Sequence, residues 1–184
     1  MSAVKKISRE NIISAALEII KRDGMSALNV RALAKALGCS TRPVYLTFGG
    51  MDGVKAAAVE RINEVYQDYI NREVESGAYP PYKAYGMGYI KFARGESEFF
   101  KYLFMRDRTR ERTEDDGLDE IISVIVKATG LDRERAKLFH LENWIFVHGI
   151  AVMLATAYID FDEKLIGSML TDMFEGLKAR FGRE

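Results

Sequence analysis

Apolar positions recur at helical spacing along nearly the whole chain, and no stretch keeps the strict alternation of a half-buried strand. Ile12, Ala16, Ile19 and Ile20 form one stripe, which predicts a helix from about Arg9 to Asp23 ended by Gly24. Val30, Leu33, Ala34 and Leu37 form the next. Val54, Ala58, Ile62, Val65, Tyr69 and Ile70 mark a long helix from about Met51 to Glu75, closed by Gly77 and Pro80-Pro81. Further helices are predicted from Pro81 or Tyr82 to about Arg94, over a short segment around Phe99, Phe100, Leu103 and Phe104, and from Leu118 to Thr129, Arg133 to Ala157 and Asp162 to Phe181. Arg106 to Arg112 followed by Glu114-Asp115-Asp116-Gly117 reads as an exposed loop whose charges offset each other. The fold class is therefore all-α, with about nine helices.

The segment from Asn29 to Phe48 has the layout of a helix-turn-helix. Asn29 is placed to cap the first helix, Gly38 to end it in the left-handed conformation, and Ser40 to cap a second helix beginning at Thr41. In such a unit the second helix enters the major groove and its first residues, here Thr41, Arg42 and Pro43, reach base edges. Gly49-Gly50 then breaks the chain, dividing a head over 1–50 from a helical body over 51–184.

The last two helices hold more large apolar residues than one narrow stripe needs. Ile150, Met153 and Leu154 in one, with Met169, Leu170, Met173 and Phe174 in the other, imply a second buried face. Its partner is either a second subunit, in a four-helix contact, or the core of a monomer. Gly149, Ala151, Ala155 and Ala157 would permit close backbone approach.

Charge refines the division. Net charge is zero over 184 residues, yet residues 1–60 hold nine Lys or Arg against five Asp or Glu, so this segment is +4 and the remaining 124 residues −4. That asymmetry favours approach to DNA head first. The single Cys39 excludes an intramolecular disulfide. With no leader-like segment and no uninterrupted apolar run of membrane-spanning length, a soluble cytoplasmic protein is expected.

Ile13 to Ile20, Gly24, Asn29 to Gly38 and Val44-Tyr45-Leu46-Thr47-Phe48 resemble the head of the tetracycline-repressor (TetR) family, and Trp144 to Ala151 resembles the Trp…His-Gly segment of many bodies in that family. The resemblance implies a homodimeric regulator, a repressor of double-stranded operator DNA, released by a small-molecule effector. It implies DNA contacts from Asn29, Arg31, Thr41, Arg42, Pro43, Tyr45 and Thr47, with Tyr45 donating to a phosphate while its ring props the helix. Lys5, Lys6 and Arg9 are candidates for an N-terminal arm. Thr47 stands where the family most often has histidine, and Met51 where it usually has a phosphate-binding lysine; Lys55, one turn on, is a substitute. For an effector, Tyr85, Tyr89, Phe100, Phe104, Trp144 and His148 are the candidate lining.

Two other classes compete. The departures at Thr47 and Met51 would suit a TetR-like protein-interaction factor that has lost operator binding. An enzyme would need a constellation the chain does not offer: His140 and His148 lie eight residues apart without a His-Glu-x-x-His pattern, a phosphate loop or a nucleophile elbow. No cofactor or metal is expected.

Overall fold

The computed structural model describes residues 7–107 and 117–182. Lys5, Lys6 and most of the arginine-rich and acidic loop lie outside the described residues. Nine α-helices and one 3-10 turn make up the described secondary structure: α1 (Arg9–Asp23), the turn (Met25–Ala27), α2 (Val30–Leu37), α3 (Arg42–Phe48), α4 (Met51–Ser76), α5 (Pro81–Gly95), α6 (Ser97–Phe104), α7 (Leu118–Thr129), α8 (Arg133–Ala155) and α9 (Glu163–Phe181). The fold is all-α, as the periodicity predicts.

Local chemistry sets most helix ends. Ser8 and Asn11 exchange side-chain bonds with each other's backbone amides at 3.1 Å, a capping box that opens α1. Asp132 and Asp162 cap α8 and α9 in the same N-terminal position. Two ends differ from expectation. Ser40 does not cap α3; Thr41 takes that place in a right-handed helical conformation, its carbonyl accepting from the Val44 amide at 3.1 Å without a side-chain cap. α8 stops at Ala155 because Ala157 adopts φ 53°, and the bonds from the Ala157 amide to Leu154 and the Tyr158 amide to Met153 close the last turn. Ala157 therefore lies past the helix and cannot serve as a small packing residue within it.

The chain divides into two compact units, Met1–Gln67 with Glu98–Met105, and Asp68–Ser97 with Arg106–Glu184. The first has a core of Ile12, Ala16, Ile20, Leu33, Val44 and Ile62, all fully buried, to which α6 adds Phe99, Phe100 and Leu103. Tyr66 meets Phe104 edge-on at 5.3 Å, and its burial pushes the phenol up to about 12. Gly53 fixes the junction of α3 and α4: a Cβ there would lie 2.3 Å from the Phe48 carbonyl oxygen, so no other residue fits without moving the backbone.

In the second unit α5 and α8 lie side by side in the same sense. Two cross-links show the register, Tyr82 at the start of α5 to His140, two turns into α8, at 3.1 Å, and Tyr89 to His148 at 2.8 Å further along both helices. The tail of α4 approaches α5 at Gly88, where a Cβ would meet the Ile70 Cα at 2.8 Å. Tyr82, Ile122, Ile125, Phe139, Leu177 and Phe181 form the core joining α5, α7, α8 and α9.

Candidate nucleic-acid interface

The helix-turn-helix is held by its own backbone. The Asn29 carboxamide oxygen accepts from the Arg31 and Ala32 amides at 3.1 and 3.0 Å, capping α2 as the sequence predicts. Gly38, at φ 62° and ψ 35°, reverses the chain, and the Cys39 amide reaches the Ala34 carbonyl at 3.0 Å. Val44 and Phe48 turn α3 inward, Val44 fully buried and Phe48 under the Arg9 guanidinium, 5.2 Å from its ring centre.

What α3 turns outward follows from 3.6 residues per turn. Arg42, Tyr45 and Leu46 share the face opposite Val44, while Pro43 and Thr47 lie on its flanks. Tyr45 is 53% exposed and Leu46 75%. A large apolar side chain standing in water at the centre of this face is the feature that sequence reasoning missed. Its signal was legible, since Leu46 follows Arg42 by four residues. Arg31, Lys55 and Thr47 are exposed as well, Thr41 is half-buried, and Met51 is half-buried at the start of α4.

The electrostatics set two residues apart. Arg61 pairs with Glu10 at 2.9 Å and Arg22 with Asp23 at 2.6 Å. Among the described residues, Arg31 and Arg42 are the arginines whose side chains make no ion pair, hydrogen bond or ring contact. Their planar five-donor heads are left available for phosphate or guanine, which they match bidentately.

The other residues singled out from the sequence do not converge on one site. Phe100 and Phe104 belong to the first unit, whereas Tyr85, Tyr89, Trp144 and His148 belong to the second. Tyr85 donates to Glu120 at 2.9 Å. Trp144 stacks on His148, ring centres 5.0 Å apart, and His148 faces the Tyr89 hydroxyl. Burial lowers the pKa of His140 and His148, favouring neutral imidazoles that can accept the phenolic protons, and raises that of Tyr82. The two histidines face different tyrosines, about 12 Å apart along the axis at 1.5 Å per residue. A cavity of about 470 Å³ opens instead between α5, α7 and α9, with Tyr82, Val124, Leu170 and Phe174 in its lining.

On α8 and α9, Ile150 and Leu170 are buried within the unit, and Met173 and Phe174 pack against its aromatic core. Leu154 and Met169 are half-buried and Met153 is exposed. The most exposed apolar residues of α8 are Leu138, Leu141 and Ile145, one stripe at 46, 49 and 58% exposure, and Leu165 of α9 is 46% exposed. By length and composition α8 could cross a membrane. Its apolarity is accounted for by two faces, one packed in the unit through Phe139, Val147 and Ile150 and one forming this stripe.

A short capped helix, a glycine turn and a second helix presenting arginine, tyrosine and leucine outward define a DNA-binding helix-turn-helix head. Residues 12–58 match the family described as bacterial regulatory proteins, tetR family. That segment runs from α1 into the first two turns of α4. The chain is also similar to an HTH-type transcriptional regulator of Mycobacterium tuberculosis, 25% identical over 166 residues, covering 84% of this chain and 73% of that protein. Residues 12–58 are thus a tetR-family DNA-binding head, and the likeness over the longer span supports reading the whole chain as a tetR-family transcriptional regulator.

Proposed function

We propose that the protein is a homodimeric repressor that reads a palindromic operator with two copies of α3 and leaves it when a small molecule binds the body. The observation that carries operator reading is the pair of uncommitted arginines, Arg31 and Arg42, beside exposed Tyr45 and Leu46. Arginine donors discriminate guanine, and a leucine offers an apolar surface to a thymine methyl. Asn29 and Thr41 position the two helix starts near phosphates, Pro43 and Thr47 flank the reading face, and Lys55 supplies the contact that Met51 cannot.

Dimerisation is supported by Leu138, Leu141 and Ile145, an exposed apolar stripe on α8, and by exposed Leu165 on α9. Two heads related by a two-fold axis turn a weak half-site affinity into useful specificity. Release by a ligand is a population shift, with the effector favouring a dimer whose heads no longer fit the operator spacing.

Selection from a random duplex library at physiological salt, followed by titration of the enriched site across salt concentrations, tests this reading. It predicts a palindrome whose binding falls steeply with salt. Absence of any enriched sequence would favour the protein-interaction reading that Thr47 and Met51 suggest.

A further inference from the structure

The cavity between α5, α7 and α9 has polar groups only at its rim, and they are not balanced. Its walls are the rings of Pro81, Tyr82 and Phe174 with Val124 and Leu170. At the rim stand Lys83, Lys127, Thr171 and Glu175. The Lys83 ammonium donates to the Thr171 hydroxyl at 2.8 Å and lies 5.1 Å from the centre of the Tyr79 ring, but makes no ion pair. Lys127 and Glu175 also lack ion-pair partners, so two cations face one carboxylate. Lys127 lies in the last turn of α7, where its charge already complements the negative end of that helix.

Lys83 and the start of α5 decide the ligand's charge. Pro80, Pro81, Tyr82 and Lys83, the cap position and first turn of α5, all line the cavity. No side chain caps that helix start, so the positive end of α5 lies among the residues that line the cavity with Lys83. A carboxylate would give the Lys83 ammonium the opposite charge that the Thr171 hydroxyl cannot supply, while an apolar tail would remove the rings and Leu170 from water. A volume of about 470 Å³ suits a small organic acid.

Access is compatible with dimerisation. On α9, Leu170, Thr171 and Phe174 face the cavity, and helical spacing puts exposed Leu165 and half-buried Met169 on the other side. We propose that this cavity binds a monocarboxylate with an apolar body, its head on Lys83 at the start of α5 and its tail between Tyr82, Val124, Leu170 and Phe174. That such a ligand acts as the effector rests on the regulator reading above; the binding itself does not.

The test is calorimetric titration of the full chain, without DNA, with two matched pairs: octanoate and octan-1-ol, and 4-phenylbutyrate and 4-phenylbutan-1-ol. At least one acid should bind tenfold or more tightly than its alcohol. Lys83→Met should bring the binding of the acid down to that of its matched alcohol. Ala128→Trp, which fills the cavity from an exposed position, should abolish both while circular dichroism shows a folded helical protein. Equal binding of acid and alcohol, an acid preference that survives Lys83→Met, or binding that survives Ala128→Trp would overturn the proposal. A protein that takes the acid yet selects no DNA sequence would keep this inference and lose the regulator reading.

Discussion

The arginines of the two compact units are used differently. In the second unit Arg94 reaches Asp160, Arg133 reaches Asp119, Arg180 reaches Glu142 and Arg135 the Phe181 carbonyl, so each guanidinium holds elements of the body together. In the first unit Arg9, Arg22 and Arg61 are similarly engaged, but Arg31 and Arg42 are held ready by rigid backbone and bound to nothing. Composition does not distinguish these roles. A charge within reach of an opposite charge on its own chain is structural, whereas one left without a partner on a rigid helix is available for a ligand, and Lys83 extends the same logic to the body.

The largest expected effect comes from the body acting on the head. If the protein dimerises as proposed, Leu141→Arg with Ile145→Arg should give a folded monomer by light scattering and weaken operator binding by more than about 100-fold, since linkage of two sites typically contributes 10²–10⁴ in affinity. A double variant that stays dimeric would remove the α8 stripe from the interface. Next, Arg42→Ala or Arg31→Ala should cost roughly 1–3 kcal/mol of operator affinity and relax specificity. Arg133→Ala, made for contrast, should leave DNA affinity unchanged, and an equal loss from it would break the comparison. Leu46→Ala should cost about 1 kcal/mol, and only on sites with thymine at the contacted position.

The smallest effects concern stability. His140 and His148 have folded-state pKa values below the ordinary 6.5, so the unfolded chain binds more protons as pH falls through that value. Stability should therefore be full above about pH 7 and decline below about 6.5, with Tyr89→Phe and Tyr82→Phe altering the slope; a thermal midpoint flat between pH 7 and pH 5 would contradict it. Ala157→Gly should raise stability by roughly 0.5–1 kcal/mol, because glycine adopts φ 53° without strain.

The sequence by itself determined the helices and the head. Helical periodicity, Asn29, Gly24, Gly38, Gly130 and Pro81 act within a few residues of themselves, so α1, α2, α7 and the start of α5 were legible without tertiary information. The helix-turn-helix layout singled out Arg42, and the resemblance to the tetR family singled out Arg31 and Tyr45. Tertiary structure alone decided which apolar residues are spent. Ile150 and Leu170 look like Leu141 and Ile145 in sequence, yet the first pair is enclosed by α5 and its neighbours and the second is not. It also assigned Phe100 and Phe104 of α6 to the first unit, left Leu46 in water, and brought Lys83 of α5 to Thr171 of α9 across 88 residues. The physical reason is range: caps and periodicity are set by bonds within a turn or two, whereas burial and charge pairing depend on which distant segments arrive at the same place.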